Sequence, residues 1–169
     1  MTPPANIAVI VFELSEHRYA LPLSDVREVL AIPTIVPLPK APPIVEGVVN
    51  IRGVVVPVMD IRALFRLPAQ LPHPADHLLV ARAGARLVAL RVDRVLGLEL
   101  MDPHDTQDAA AITPRTEYLV GVARRRDGLV MLHDLGTFLA AAEASDLDDA
   151  LAGSQSVGAS SVASGPAPP

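Results

Sequence analysis

One stretch of this chain occurs twice. Gly47-Val48, Arg52-Gly53 and Asp60-Ile61-x-x-Leu64-Phe65 recur as Gly121-Val122, Asp127-Gly128 and Asp134-Leu135-x-x-Phe138-Leu139. From the first Gly to the Asp is 13 residues in both copies. Each copy reads as strand, hairpin turn, strand and capped short helix. A fainter echo pairs Tyr19-Ala20-Leu21 with Val88-Ala89-Leu90 and carries Val26 onto Val95. Half of a 169-residue chain is too short to bury much surface alone. The repeat therefore predicts two similar half-domains, each a small barrel with one short helix, packed on one another with a groove between them.

The apolar half of the composition agrees, because much of it is Val and Ile in short runs, which favour strands. Strands are expected at 7–14, 18–23, 32–38, 45–51, 54–59, 78–83, 86–92, 119–123 and 129–133. Pro33 and Pro37 make the third an edge or irregular strand. Arg52-Gly53, Gly84-Ala85 and Asp127-Gly128 are hairpin turns. Asp60 can cap a short helix over 61–65, and Asp134 another over 135–143. Ser24-Asp25 starts a single turn through Val29. Residues 66–76 and 102–116 read as Pro- and Asp-bearing connections. Residues 1–6 are expected to be flexible, 143–152 to be a C-terminal helix or extension, and 153–169 a disordered tail.

The same composition excludes several functions. With no Cys there is no thiolate nucleophile, disulfide framework or Cys-ligated metal. A net charge of −5 with 3% aromatics argues against nucleic acid, since phosphate surface and stacking platforms are both lacking. No apolar run is long enough to span a membrane. The N-terminus lacks a basic leader, so a cytoplasmic location is expected.

Catalytic arrangements are sparse. His73-x-x-Asp76-His77 and Asp102-x-His104-Asp105 have metal-like spacings, but Pro72 and Pro74 break any helix that would align His73 with His77. A metal-dependent enzyme using His73, His77 and His104 is the remote alternative. His133-Asp134 is accounted for as a strand end and a helix cap. No nucleophile elbow or phosphate-binding loop is present. Arg124-Arg125-Arg126 reads as a solvated turn able to touch an acidic protein partner.

The run from Glu46 to Arg62, EGVVNIRGVVVPVMDIR, resembles the signature of the CheW family, the coupling proteins of bacterial chemotaxis. Thr116-Glu117-Tyr118-Leu119-Val120-Gly121-Val122 with Asp134-Leu135 is similar to the family's second signature. Phe12, Tyr19-Ala20-Leu21-Pro22-Leu23 and Val26-x-Glu28-Val29 look like its opening. The resemblance covers residues 7–142. It implies a mainly β fold of two five-stranded SH3-like β-barrels around a shared hydrophobic core, with short capping helices and a C-terminal helix. It implies a non-enzymatic adaptor with no cofactor. Its partners would be the cytoplasmic tip of chemoreceptors and the regulatory domain of the CheA-type histidine kinase, in membrane-associated arrays. An alternative is a scaffold of a non-flagellar pathway such as type IV pilus motility. Carried over by position, the receptor site would include Arg52, Val26, Val95, Leu78 or its neighbour His77, Glu28 and Gly47. His77 stands where the family has an aliphatic residue. The kinase contacts are left unassigned.

Overall fold

The computed structural model describes residues 5–112, 119–137, 139 and 140. The first four residues, Thr116 to Tyr118 of the second signature, the helix beyond 140 and the segments 143–152 and 153–169 lie outside the described residues.

The chain is mainly β. In order, the strands are β1 (Ile7–Leu14), β2 (His17–Pro22), β3 (Val26–Ala31), β4 (Val45–Ile51), β5 (Val54–Met59), β6 (His77–Ala83), β7 (Arg86–Val92), β8 (Arg94–Met101), β9 (Thr106–Asp108), β10 (Leu119–Arg125) and β11 (Gly128–His133). A short helix, α1 (Ala109–Ile112), follows β9, and the described residues of 135–140 are helical as well. The strands form two sheets, a six-stranded one ordered β8-β1-β2-β11-β10-β9 and a five-stranded one ordered β3-β6-β7-β5-β4. Neither ladder closes on itself among the described residues.

The two sheets follow one plan. In each, two hairpins meet through a short parallel ladder, β11 on β2 in one sheet and β5 on β7 in the other. The repeat is real, but its copies do not form separate barrels. β1 and β2 belong to the first copy and pair with β8 and β11 of the second. β3, β4 and β5 of the first copy join β6 and β7 of the second. The chain crosses between sheets after β2 and again at Asp93, so each sheet is assembled from both copies.

Burial explains why β1 and β6 read as unbroken apolar runs. Val9 and Val11 point into a cluster private to the six-stranded sheet, with Ala20, Val130 and Leu132. Leu78 and Val80 do the same in the other sheet, with Ala89, Val56 and Val58. The alternate residues Ile10, Phe12 and Leu14, and Leu79 and Ala81, join a third cluster fed by both sheets. This shared core includes Tyr19, which stacks on Phe65 with ring centroids 4.6 Å apart.

Three local expectations change. β3 was expected as one turn, yet only Leu23–Asp25 is helical and Val26–Ala31 is a strand on β6. Residues 32–38 give a single bridge, Val36 to Val48, in place of a strand. The helix expected at 61–65 is a run of turns, although Asp60 Oδ1 does accept from the Arg62 amide at 3.0 Å. Asp134 behaves as expected of a cap: its Oδ1 accepts from the amides of Gly136 (2.9 Å) and Thr137 (3.3 Å).

Candidate functional site

Val26 and Val95 occupy equivalent places. Each lies in the first two residues of an edge strand beside a register shift, Val26 on β6 and Val95 on β1. Opposed residues in an antiparallel ladder share a face. Val26 opposes Ala81 and Val95 opposes Phe12, so both face the shared core. Both are half-buried and packed against that core. The same face runs on past the packed part. Leu98 opposes Ile10, Leu100 opposes Ala8, and Val29 opposes Leu79. Leu98 is 57% exposed, Leu100 56% and Val29 39%. An apolar strip thus continues from the shared core into solvent along β3 and β8, as a docking groove requires. The leucines of β8 are absent from the sequence-derived site because 94–101 was not read as a strand. Leucine at every second position, Leu96, Leu98 and Leu100, was the available signal.

Arg52 sits at the apex of the β4–β5 hairpin. Its φ of 50° and that of Gly53, 84°, are both positive, the pattern of a type I′ turn. Asn50 Oδ1 braces the turn by accepting from the Gly53 amide at 2.8 Å. This conformation projects Arg52 outward, with its side chain 74% exposed. It reaches Glu28 of β3 in an ion pair and so joins two strands that the ladder leaves apart. Behind it, Ile51 and half-buried Leu30 belong to the same private cluster. The five-stranded sheet is therefore drawn towards closure by side chains, not by backbone pairing.

Two of the expected receptor contacts are placed elsewhere. Leu78 is fully buried in the private cluster, on the face away from the shared core, and lines no groove. Gly47 is buried beneath Val36. A Cβ there would fall 2.8 Å from Ile35 Cγ2 and nearer still to the Val36 carbonyl oxygen. Its motif position reflects close backbone approach, and Gly121 repeats the arrangement against Gln107 O and Thr106 Cγ2. His77 is half-buried, opposes Ala31 and Val92, and its Nδ1 makes no hydrogen bond among the described residues.

The metal spacing dissolves in the fold. Asp76 is buried and its Oδ2 accepts from Arg91 Nη1 at 3.0 Å and from the His73 amide at 2.9 Å. Among the described residues no group of three or more His, Asp and Glu could hold a metal ion.

Two further features escaped the sequence. The first is a buried ionic network. Arg91 is inaccessible to solvent; its Nε donates to Glu46 at 2.8 Å and its Nη2 to the Gln70 carbonyl at 2.7 Å. Arg62, equally buried, pairs with Asp93, whose other oxygen accepts from the Ser15 amide at 2.8 Å. The desolvation of Arg91 is offset by hydrogen bonds and charge from Glu46, Asp76 and Asp60, which hold its proton more firmly than usual. The second feature is an apolar pocket of about 460 Å³ beside the β4–β5 hairpin, lined by Val54, Val55, Pro57, Leu87 and Leu139. Val55 is 67% exposed there.

Comparison with known proteins gives one consistent answer. Residues 8–143 match the family model described as the CheW-like domain. "Chemotaxis protein CheW" of Klebsiella aerogenes is 26% identical over 142 residues, 83% of this chain and 86% of that one. "Protein FrzA" of Myxococcus xanthus is 33% identical over 120 residues, 67% of this chain and 71% of that one. The crystal structure of the scaffolding protein TtCheW from Thermoanaerobacter tengcongensis superposes with a TM-score of 0.71 at 25% identity, covering 79% of this chain and 92% of that one.

Proposed function

The chain belongs to the CheW-like family of chemotaxis scaffolds, and on that premise we propose that it is a non-enzymatic adaptor coupling chemoreceptors to a CheA-type histidine kinase. It acts by binding alone, in the cytoplasm, recruited to receptor arrays at the membrane. Among the described residues no helix is long and apolar enough to cross a membrane. The receptor's cytoplasmic tip, a helical hairpin, docks on the apolar strip carried by Val26, Val29, Val95, Leu98 and Leu100. Arg52 and Glu28 supply charge beside it. This is helix-in-groove recognition, in which an amphipathic helix lays its apolar face on an open apolar surface. The observation that carries the reading is the equivalent placement of Val26 and Val95 on one half-open core face. The pocket beside Val54 and Val55 supports a second, separate surface for the kinase regulatory domain. With few aromatics, both surfaces rely on aliphatic packing and a few charges.

A pull-down with the cognate kinase regulatory domain tests the role. A complex forming at about tens of micromolar is expected, and its absence there sinks the adaptor reading. A second reading, service in a non-flagellar pathway such as type IV pilus motility, is favoured by the match to FrzA beside the chemotaxis proteins. The gene neighbourhood separates the two. The metal-enzyme alternative of His73, His77 and His104 gains no support, since His73 Nδ1 already accepts from the Ala75 amide at 3.0 Å.

A further inference from the structure

The described residues end on the rim of an apolar groove. Leu139 lines the pocket of about 460 Å³ beside the β4–β5 hairpin. It also lines a second hollow of about 400 Å³ at the β6–β7 turn, together with Ala140, the last residue described. Arg86 lines both, so the two adjoin. The first is walled by aliphatic side chains, of which Val54 and Val55 leave more than half their surface in solvent. Among the described residues Arg86 is the one charged group in either lining, and no carboxylate is present. The pocket beside the β10–β11 hairpin differs, with Glu16 and Asp127 in its wall. The groove at Leu139 therefore suits an occupant that is apolar on one face and acidic on its flanks.

The sequence that follows Ala140 has that character. Residues 141–152, outside the described residues, read AAEASDLDDALA. Glu143, Asp146, Asp148 and Asp149 give them four negative charges and no positive one. Ser145-x-x-Asp148 has the spacing of a capping box, which signals a new helix from Asp146. Leu147 and Leu151, four residues apart, share one face of such a helix. On a single unbroken helix they would stand roughly 80° and 120° round from Leu139, which packs into the shared core. This second stripe therefore needs a cover of its own. Five residues, 141–145, join Ala140 to Asp146 and reach about 17 Å, enough to return the stripe to the groove the chain has just left. So short a tether presents it there at an effective concentration on the order of millimolar.

We propose that residues 146–152 fold back as a short acidic helix and lay Leu147 and Leu151 in the pocket walled by Val54, Val55 and Leu87, with their carboxylates towards Arg86. The chain's own segment is then the occupant of this pocket when no partner is bound. Any partner that takes the surface must first displace it. The docking involves this chain alone, so it stands or falls apart from the adaptor reading.

The test is a cross-link in the full chain. With no native Cys, two introduced thiols have only one another to pair with. Val55→Cys with Ala150→Cys places one in the pocket wall and one beside the leucine stripe, and keeps both leucines. A disulfide needs the two Cα atoms within about 7 Å. Mild oxidation at micromolar dilution should close an intramolecular bridge, read by mass and by mobility on a non-reducing gel. Adding Leu147→Asp and Leu151→Asp removes the apolar face and leaves the tether, and should slow closure about tenfold or more. Closure at an unchanged rate in that variant would mean random collision of a loose tail and overturns the proposal. Absence of closure overturns it too. A bridge between two chains would make the occupant a second copy, and the proposal fails.

Discussion

Position by position, the two sheets solve the same problem with opposite chemistry. The shift that carries Val26 onto Val95 carries Leu30 onto Glu99, and the shift that carries Gly47 onto Gly121 carries Ile51 onto Arg125. In the five-stranded sheet both Leu30 and Ile51 join the apolar private cluster. In the six-stranded sheet Arg125 and Glu99 form an ion pair. The pockets beside the equivalent hairpins differ likewise. One is lined by Val54, Val55 and Leu87. Its counterpart, of about 390 Å³, contains Leu129 where Val55 stands and is crossed by the ion pair between Arg18 and Asp127. Arg91 becomes Pro22, Arg62 becomes Gly136 and Glu46 becomes Val120, so the ionic network exists on one side alone. Duplication supplied one scaffold twice. The five-stranded sheet then took the open apolar pocket and the buried ionic network, and the six-stranded sheet took ion pairs at the equivalent pocket and edge.

The comparison breaks most visibly at Arg91. Arg91→Met leaves Glu46 and Asp76 without their cation, and stranding a buried charge costs about 3–5 kcal/mol. The melting temperature should fall on the order of 10 °C for a chain of this size. The counterpart Pro22→Ala should change stability by about 1 kcal/mol or less, mostly through the unfolded chain. Chemical denaturation of both variants measures the contrast. Equal losses would mean the network contributes nothing particular to its sheet.

The glycines test whether the scaffold is truly repeated. Gly47→Ala and Gly121→Ala each push a methyl onto a backbone carbonyl, Val36 in one case and Gln107 in the other. Overpacking of this kind costs about 1–3 kcal/mol. Similar losses are expected, with Gly47 the larger because its neighbours lie closer. A loss at one position only would show that the two bulged hairpins are held differently.

Much of this plan was legible in the sequence. Short Val- and Ile-rich runs and the turns between them marked β1, β4, β5 and β7 to the residue, and the repeat disclosed the paired hairpins. What periodicity cannot report is a strand's neighbour. An unbroken apolar run tells that β1 is buried on both faces but not that β8, from the other copy, lies beside it. β3 misled for a local reason: Arg27, Glu28, Leu30 and Ala31 are good helix formers, and pairing with β6 overrides them. The candidate surface was partly legible. Val26, Val95, Arg52 and Glu28 are exposed or half-open, whereas Leu78 and Gly47 owe their motif positions to packing. Arg91 went unseen because a charged residue late in an apolar strand reads as a strand end facing solvent, and only its distant partners show otherwise.

At the surface, the contrast moves from stability to binding. Arg52→Glu puts two carboxylates side by side but breaks only an exposed pair, worth about 0–1 kcal/mol. Receptor coupling should weaken while the melting temperature stays nearly unchanged. The counterpart Arg126→Glu should leave coupling alone. A large loss of stability with Arg52→Glu would make the Arg52–Glu28 pair a structural clasp.

The smallest effect separates Asp25 from Arg94, which share a place at the start of equivalent edge strands. Arg94 pairs with Glu13 at 3.1 Å. Asp25 has no such relief: burial raises its pKa, and the charge of Asp134 raises it further. A raised carboxyl pKa means the fold disfavours the ionised form. Below the ordinary carboxylate range Asp25 is protonated in both folded and unfolded chains, and its titration costs nothing. As pH rises from that range through the raised value, the unfolded chain ionises first and stability is lost. Asp25→Asn removes the titration, so it should stabilise slightly near neutral pH and not at all in acid. Denaturant midpoints across the acid range measure this. A stabilisation equal at every pH would trace the effect to hydrogen bonding, and the electrostatic contrast with Arg94 would fall.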